Sequence, residues 1–186
     1  MIMADNIAQP AQLKPIPVVL VEYDPTWPLT AENFANQLRH IGQNILAVHH
    51  IGSTSIPGLA AKPIIDLLPV VKSLETLDRS RKQIEVLGFH WHGEYGIRDR
   101  RYCTLSNYAG IRIAHLHFFE TDSLHITRHL AFRDYLRAHP EIAAEYEAEK
   151  HGARELHPNN SHDYSDEKAL WIKTVEARAL SWFMKR

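Results

Sequence analysis

Hydrophobic and polar positions alternate along this chain in stretches that predict a mixed α and β domain. Phe34, Leu38, Ile41 and Ile45 recur at helical spacing and predict a helix over 29–46. Ala47 to Ile51 then reads as a strand. Pro63 to Val71 is almost continuously apolar, the pattern of a strand covered on both faces. Leu74, Leu77, Ile84 and Leu87 predict one helix from about Ser73 to Leu87, with Gly88 as its C-terminal cap. Phe89 and Trp91 open another strand. Tyr102–Ser106 and Ile111–Phe119 form a strand pair around the turn residues Asn107–Gly110. In the second of these, Ile111, Ile113, His115, His117 and Phe119 share a face. From Asp122 onward the pattern is helical: one helix ends near His139-Pro140 and a second runs to about Leu156. After a break at 157–161, a last helix carries Leu170, Trp171, Val175 and Leu180. Ile16–Val21 is a short strand or extended entry segment. Met1–Lys14 has no periodicity. The expected layout is a flexible tail, 1–14, and one α+β (α/β-like) domain, 15–186. Its mixed sheet has a crossover helix, and a C-terminal helical layer starts at about 123.

Composition narrows the setting more than the function. Hydrophobic residues are 45% and charged residues 23% of the 186, enough apolar material for a core, and the formal net charge is -1. No global field favours nucleic acid or a membrane surface. The single cysteine, Cys103, rules out an internal disulfide and fits a reducing compartment. No apolar run approaches ~20 residues, and no leader pattern is present, so a cytoplasmic protein is expected. The thirteen histidines are scattered, and most are expected in ordinary core and surface roles.

Candidate chemistry concentrates between His50 and Val71. Gly52-Ser53-Thr54-Ser55 is a small-residue turn whose N–H groups and hydroxyls can converge on an anion. Asp66 stands in an otherwise apolar strand, where a carboxylate is costly unless hydrogen-bonded, paired or bound to a cation. Lys62 could balance a phosphate or Asp66 itself. The plainer reading is a simple turn and an aspartate capping nearby backbone. The loop Gly93–Arg101 offers Arg98, Arg100 and Arg101 as phosphate ligands beside Glu94, with Tyr102 as a base-stacking ring. A solvated loop fits as well. Arg128, His129, Arg133 and Asp134 suit ion pairs on a helix. Glu141, Glu145, Glu147 and Glu149 against Lys150 and Arg154 read as a solvated helix face. Cys103 and the four tryptophans read as structural.

The stretch His50-Ile51-Gly52-Ser53-Thr54-Ser55-Ile56-Pro57-Gly58-Leu59-Ala60-Ala61-Lys62-Pro63-Ile64-Ile65-Asp66 resembles the signature of the GrpB family. Tyr23–Trp27, Gly93–Tyr102, His115-Leu116-His117 and Arg128–Leu136 resemble its further motifs in the same order, so the likeness runs from about Val18 to Trp182. The family is placed in the nucleotidyltransferase superfamily of the DNA polymerase β type. The resemblance implies that fold, together with nucleotide or phosphate binding by Gly52, Ser53, Thr54, Ser55, Lys62, Arg98 and Arg101. It also implies metal-dependent nucleotidyl or phosphoryl transfer to a small acceptor, with Asp66 catalytic. The superfamily pattern asks for a second acid two residues on, and here that residue is Leu68. The later strand that carries a third acid offers His115 and His117 instead. Asp66, His115 and His117 therefore suit Zn²⁺ or Mn²⁺ better than Mg²⁺. Two alternatives stand beside transfer. One is a module that binds nucleotide or phosphate without turnover, linked through the family to dephospho-coenzyme A kinase and coenzyme A synthesis. The other is a metal-binding pocket unrelated to nucleotides.

Overall fold

A computed structural model describes residues 13–186. The expected tail lies outside the described residues except for its last two, and the Leu13 N–H donates to the Tyr95 hydroxyl. Helix α1 (Trp27–Arg39) leads into β1 (Ile45–Ile51), a single 3-10 turn at Ser53–Ser55, and β2 (Ile65–Val71). Short helices α2 (Leu74–Arg79) and α3 (Arg81–Val86) follow, then β3 (His90–Trp91), β4 (Arg101–Ser106) and β5 (Arg112–Glu120). The C-terminal third holds α4 (Leu124–Ala138), α5 (Pro140–Leu156), α6 (Ser161–Glu167) and α7 (Ala169–Phe183).

The strands form one mixed sheet in the order β1-β2-β5-β4-β3. Only the central pair, β2 with β5, is parallel; Asp66 stands opposite His115. β1 lies antiparallel to β2 with Ile51 opposite Asp66, and β4 pairs antiparallel with β5. The continuous apolar run of β2 is explained by burial on both sides. Ile65, Leu67 and Val71 pack with Leu38, Leu77, Ile84, Leu116 and Phe118 under the N-terminal helices. On the opposite face Leu68 and Val70 join Ile51, Phe119, Ile126 and Leu130 beneath α4. A separate apolar cluster of Ile56, Leu59, Tyr135, Leu136, Ile142, Tyr146 and Val175 welds the helical layer to the segment after the turn.

Three boundaries differ from the periodicity. The first helix ends at Arg39, because the Gly42-containing turn intervenes and Ile45, its last apolar repeat, begins β1. The helix expected over 73–87 is two helices. They part at Ser80, whose hydroxyl donates to the Thr76 carbonyl, a local bond that competes with helical continuity. The last helix is preceded by a separate seven-residue helix, with Lys168 at the join. The segment read as a short strand or extended entry over 16–21 is the latter, pairing only at Val21 with Ala61. It runs as an extended strap: Val18 N–H donates to Pro158 O, Ser161 N–H to Ile16 O, and Ile16 N–H to Ser161 Oγ.

Leu68 is fully buried in its apolar cluster. Leu68→Ala is expected to cost about 2–5 kcal/mol in urea denaturation. Leu68→Asp, which restores the acid the superfamily pattern asks for, is expected to cost more, because the carboxylate would be buried with no partner.

Candidate functional site

The register of β1 and β2 brings the small-residue turn against the strand carboxylate. Gly52 has φ 70°, and a Cβ built there would lie 2.6 Å from Asp66 Oδ2. Only glycine permits both the backbone and the approach. Behind this contact the turn is self-satisfied. Ser55 Oγ donates to Gly52 O at 2.6 Å, and Thr54 Oγ1 donates to Ile64 O at 3.4 Å. Ser53 is the hydroxyl left facing outward, within hydrogen-bonding reach of the Tyr146 phenol.

Two imidazoles hold Asp66 from the neighbouring strand. His115 Nδ1 lies 2.9 Å and His117 Nε2 3.5 Å from Asp66 Oδ1. Burial pushes the carboxyl up, but hydrogen bonds from His115 and His117 outweigh it and hold Asp66 well below the usual carboxylate range. Burial lowers the pKa of His117, with Asp66 opposing. The buried Arg100 guanidinium reaches His117 Nδ1 at 3.5 Å and is anchored by Tyr95 O and Glu94 O. Arginine can only donate, so Nδ1 accepts and Nε2 carries the proton that faces Asp66.

The helical layer completes the site with cations. Gly52, Ser53, Thr54, Lys62, Asp66, Tyr102, His115, Tyr146, Lys150, Tyr164, Ser165 and Lys168 surround a cavity of about 320 Å³. Lys150 and Lys168 are 1% and 7% exposed, and Lys62 lies close enough to Asp66 and Lys168 to feel both charges. Burial depresses all three: Lys150 to about 8, and Lys168 to about 7, where Lys62 and Lys150 add repulsion. Lys150 donates to Ala60 O, while Lys168 lies 3.9 Å and Lys62 5.1 Å from the centre of the Tyr164 ring. A larger hollow of about 840 Å³ lies between Ile56–Leu59 and helices α4 and α5. It is mostly apolar, and its charged groups are occupied elsewhere: Arg137 donates to Ser55 O, and Glu147 accepts from Ala60 N–H. The chemistry is in the smaller cavity.

The residues expected at the site divide. Gly52, Ser53, Thr54, Lys62, Asp66 and His115 line one cavity, and His117 touches Asp66 beside it. Ser55 is turned back onto Gly52. Arg98 is exposed and faces Asp99, while Arg101 reaches away to Asp78 with both bonds at 2.7 Å. Between them, Arg100 is the arginine that turns inward. Lys150 corrects the expected solvated face, since it is buried in the site. Its signal was available: Ile142, Tyr146, Lys150 and Ala153 form the buried stripe of α5. Tyr146, Tyr164 and Lys168 carry no motif, and Lys168 lies four residues after Tyr164, at the break between α6 and α7.

A family profile described as GrpB protein matches residues 17–178. The chain belongs to the GrpB family. YqkA of Bacillus subtilis is 42% identical over 166 residues, which span 89% of this chain and 48% of YqkA, so the chain matches about half of that relative. The crystal structure of GrpB from Enterococcus faecalis superposes with a TM-score of 0.84 at 39% identity, over 89% of this chain and 99% of that one. Cid1, described by its RNA terminal uridylyl transferase activity, superposes with a TM-score of 0.51 at 19% identity, over 73% of this chain and 43% of Cid1. The GrpB fold of this chain is thus nucleotidyltransferase-like.

Two glycine substitutions separate the site from ordinary backbone strain. Gly58 also has positive φ, 78°, but a Cβ there meets nothing within 4 Å. Gly58→Ala should cost about 1–2 kcal/mol in denaturation, and Gly52→Ala more, because its Cβ also meets the Asp66 carboxylate. Only Gly52→Ala should also move the His115 ring resonances in NMR, because it displaces the carboxylate that His115 holds.

Proposed function

We propose that this chain binds a nucleotide or kindred phosphorylated small molecule in the Asp66 cleft and transfers a nucleotidyl or phosphoryl group from it to a small acceptor. The observation that carries this is the convergence of Lys62, Lys150 and Lys168 on the Ser53 turn and the Asp66 carboxylate. Phosphoryl chemistry is mainly positioning and charge neutralisation, and these groups supply both. The lysine ammonium groups and the Ser53 hydroxyl would hold phosphate oxygens. As the acceptor oxygen bonds to phosphorus and the bridging P–O bond breaks, the lysines would stabilise the charge growing on the departing phosphate. The fold-level likeness to Cid1 supports a nucleotide as donor.

Asp66, His115 and His117 would hold the divalent cation. Their ligand atoms lie within 4.8 Å of one another, and His115 Nε2 is buried without a hydrogen-bonding partner among the described residues. One carboxylate and two imidazoles fit Zn²⁺ or Mn²⁺ better than Mg²⁺, which takes an oxygen shell. Bound there, the ion would supply Lewis-acid polarisation of a phosphoryl oxygen.

A second reading is favoured by one observation. The residue where the superfamily pattern asks for a second acid, Leu68, is packed into an apolar cluster. A module that binds the same ligand without turnover fits that packing. Pyrophosphate or phosphate release from nucleoside triphosphates, assayed with Zn²⁺ or Mn²⁺ and a panel of small acceptors, decides between them. Calorimetric binding without release selects the module. Unchanged nucleotide and metal binding in Asp66→Ala removes both readings.

The depressed lysines set a pH dependence. Below about 7 Lys168 is protonated and attracts phosphate; above it the neutral amine must take up a proton on binding. Affinity for a nucleoside triphosphate should therefore fall as pH rises from 7 to 9, with proton uptake visible as buffer-dependent heat in calorimetry. Lys168→Gln should weaken binding at pH 7 by about tenfold, as expected for one charge-assisted contact, and should flatten the pH profile.

A further inference from the structure

We infer that the cleft recognises the condensed phosphate chain of its ligand and not the base, so that it is selective for the number of phosphates and indifferent to which nucleoside carries them. The inference rests on the reading that the Asp66 cleft takes a nucleotide, and it names the part of that nucleotide which is recognised.

Three observations carry it. The first is charge. Among the described residues, the side-chain amines of Lys62 and Lys168 make no ion pair and no hydrogen bond, and that of Lys150 has only the Ala60 carbonyl. The nearby carboxylates are committed, Asp66 to two imidazoles and Glu147 to the Ala60 N–H. Three amines, two buried and one half-buried, with no free counter-charge are satisfied by a polyanion. The second is size. At about 320 Å³, the cavity lies at the small end of the roughly 300–1,000 Å³ that encloses whole small molecules. It has room for a phosphate chain, with the nucleoside left towards solvent.

The third is what the lining lacks. Reading a base takes a ring face to stack on or an amide to match its edge. Among the described residues, no asparagine or glutamine lines the cavity. The three tyrosine rings that do are already covered. Tyr102 stacks on Tyr95 at 5.2 Å and carries the Arg100 guanidinium at 4.8 Å. Tyr146 stacks on Trp171 at 5.1 Å with Lys150 at 5.0 Å. Tyr164 carries Lys168 and Lys62. The Thr54 hydroxyl is turned to Ile64 O, which leaves phosphate-type contacts as the free ones.

The test is a binding panel on the wild-type chain at one fixed pH and one fixed Mn²⁺ concentration: ATP, GTP, CTP, UTP, inorganic tripolyphosphate and AMP. The four triphosphates should bind within about threefold of one another. Tripolyphosphate should match them, and AMP should be weaker by at least about thirtyfold, the loss of two phosphates' charge-assisted contacts. Lys168→Gln should weaken the triphosphates and tripolyphosphate by the same factor. A preference of more than about tenfold for one base overturns the inference and leaves the nucleotide reading standing, as does nucleotide binding with no competition from tripolyphosphate. Binding of none of the compounds overturns the nucleotide reading, and this inference with it.

Discussion

The site depends on strand register. Antiparallel pairing of β1 with β2 sets Ile51 opposite Asp66, so the next residue, Gly52, turns directly over the carboxylate. Parallel pairing of β2 with β5 sets His115 opposite the same residue. A slip of one position in either ladder would exchange faces and carry Asp66 into the apolar layer beneath the N-terminal helices. The continuous hydrophobic flanks of β2 forbid that slip, since Leu67 and Leu68 are each fully buried on opposite sides. The chemistry is held in place by residues that take no part in it.

The charged groups of the cleft are held at a cost to folding. Between about pH 7 and the ordinary lysine range, the unfolded chain keeps a proton on Lys168 that the folded chain has lost. Folding stability at Lys168 therefore rises with pH across that window and is lower below it. Lys150 contributes in the same direction from about 8 upward. Asp66 moves stability in the same direction over a lower range: its carboxyl is depressed, so its contribution is present above the ordinary carboxylate range and is lost in acid. An anion held among the lysines would offset the first cost and leave the Asp66 contribution unchanged. Ligand binding and folding are linked most strongly where the lysines must be charged.

Half of the site was legible in the sequence and half was not, for a physical reason. Gly52, Ser53, Lys62 and Asp66 lie on one short strand–turn–strand segment, so their spacing alone signals their meeting. His115 and His117 are read from strand alternation, which fixes a shared face. Lys150 and Lys168 arrive from helices about ninety residues or more downstream, beyond the reach of local pattern. Amphipathic reading assigns a lysine among glutamates to solvent, and only the buried stripe through Tyr146 shows otherwise. Arg98, Arg100 and Arg101 show the converse. Three arginines in four positions share a composition, but the loop's backbone turns only the middle one inward, where carbonyls of Glu94 and Tyr95 receive it. The fold class was readable because the apolar run of β2 and the alternation of β5 are strong signals. The helix breaks at Gly42, Ser80 and Lys168 were not, because capping and side-chain bonds decide them.

The strap at the start of the described chain bears on how a ligand gets in. It crosses from the Ala61 bridge at Val21, past Pro158 and Ser161 on the helical side, to Tyr95, whose ring stacks on Tyr102 in the sheet wall. Val18 and Leu20 meanwhile pack on Tyr164 in the opposite wall. The two walls are thus laced together by a segment outside the sheet, hydrogen-bonded at Leu13, Ile16, Val18 and Val21. Widening of the cleft then requires no rigid-body hinge: local fraying of the lace is enough, at a fraction of the free energy of global unfolding. The spacing of the two walls is thereby tied to the first ten described residues, far in sequence from the groups that line the cleft.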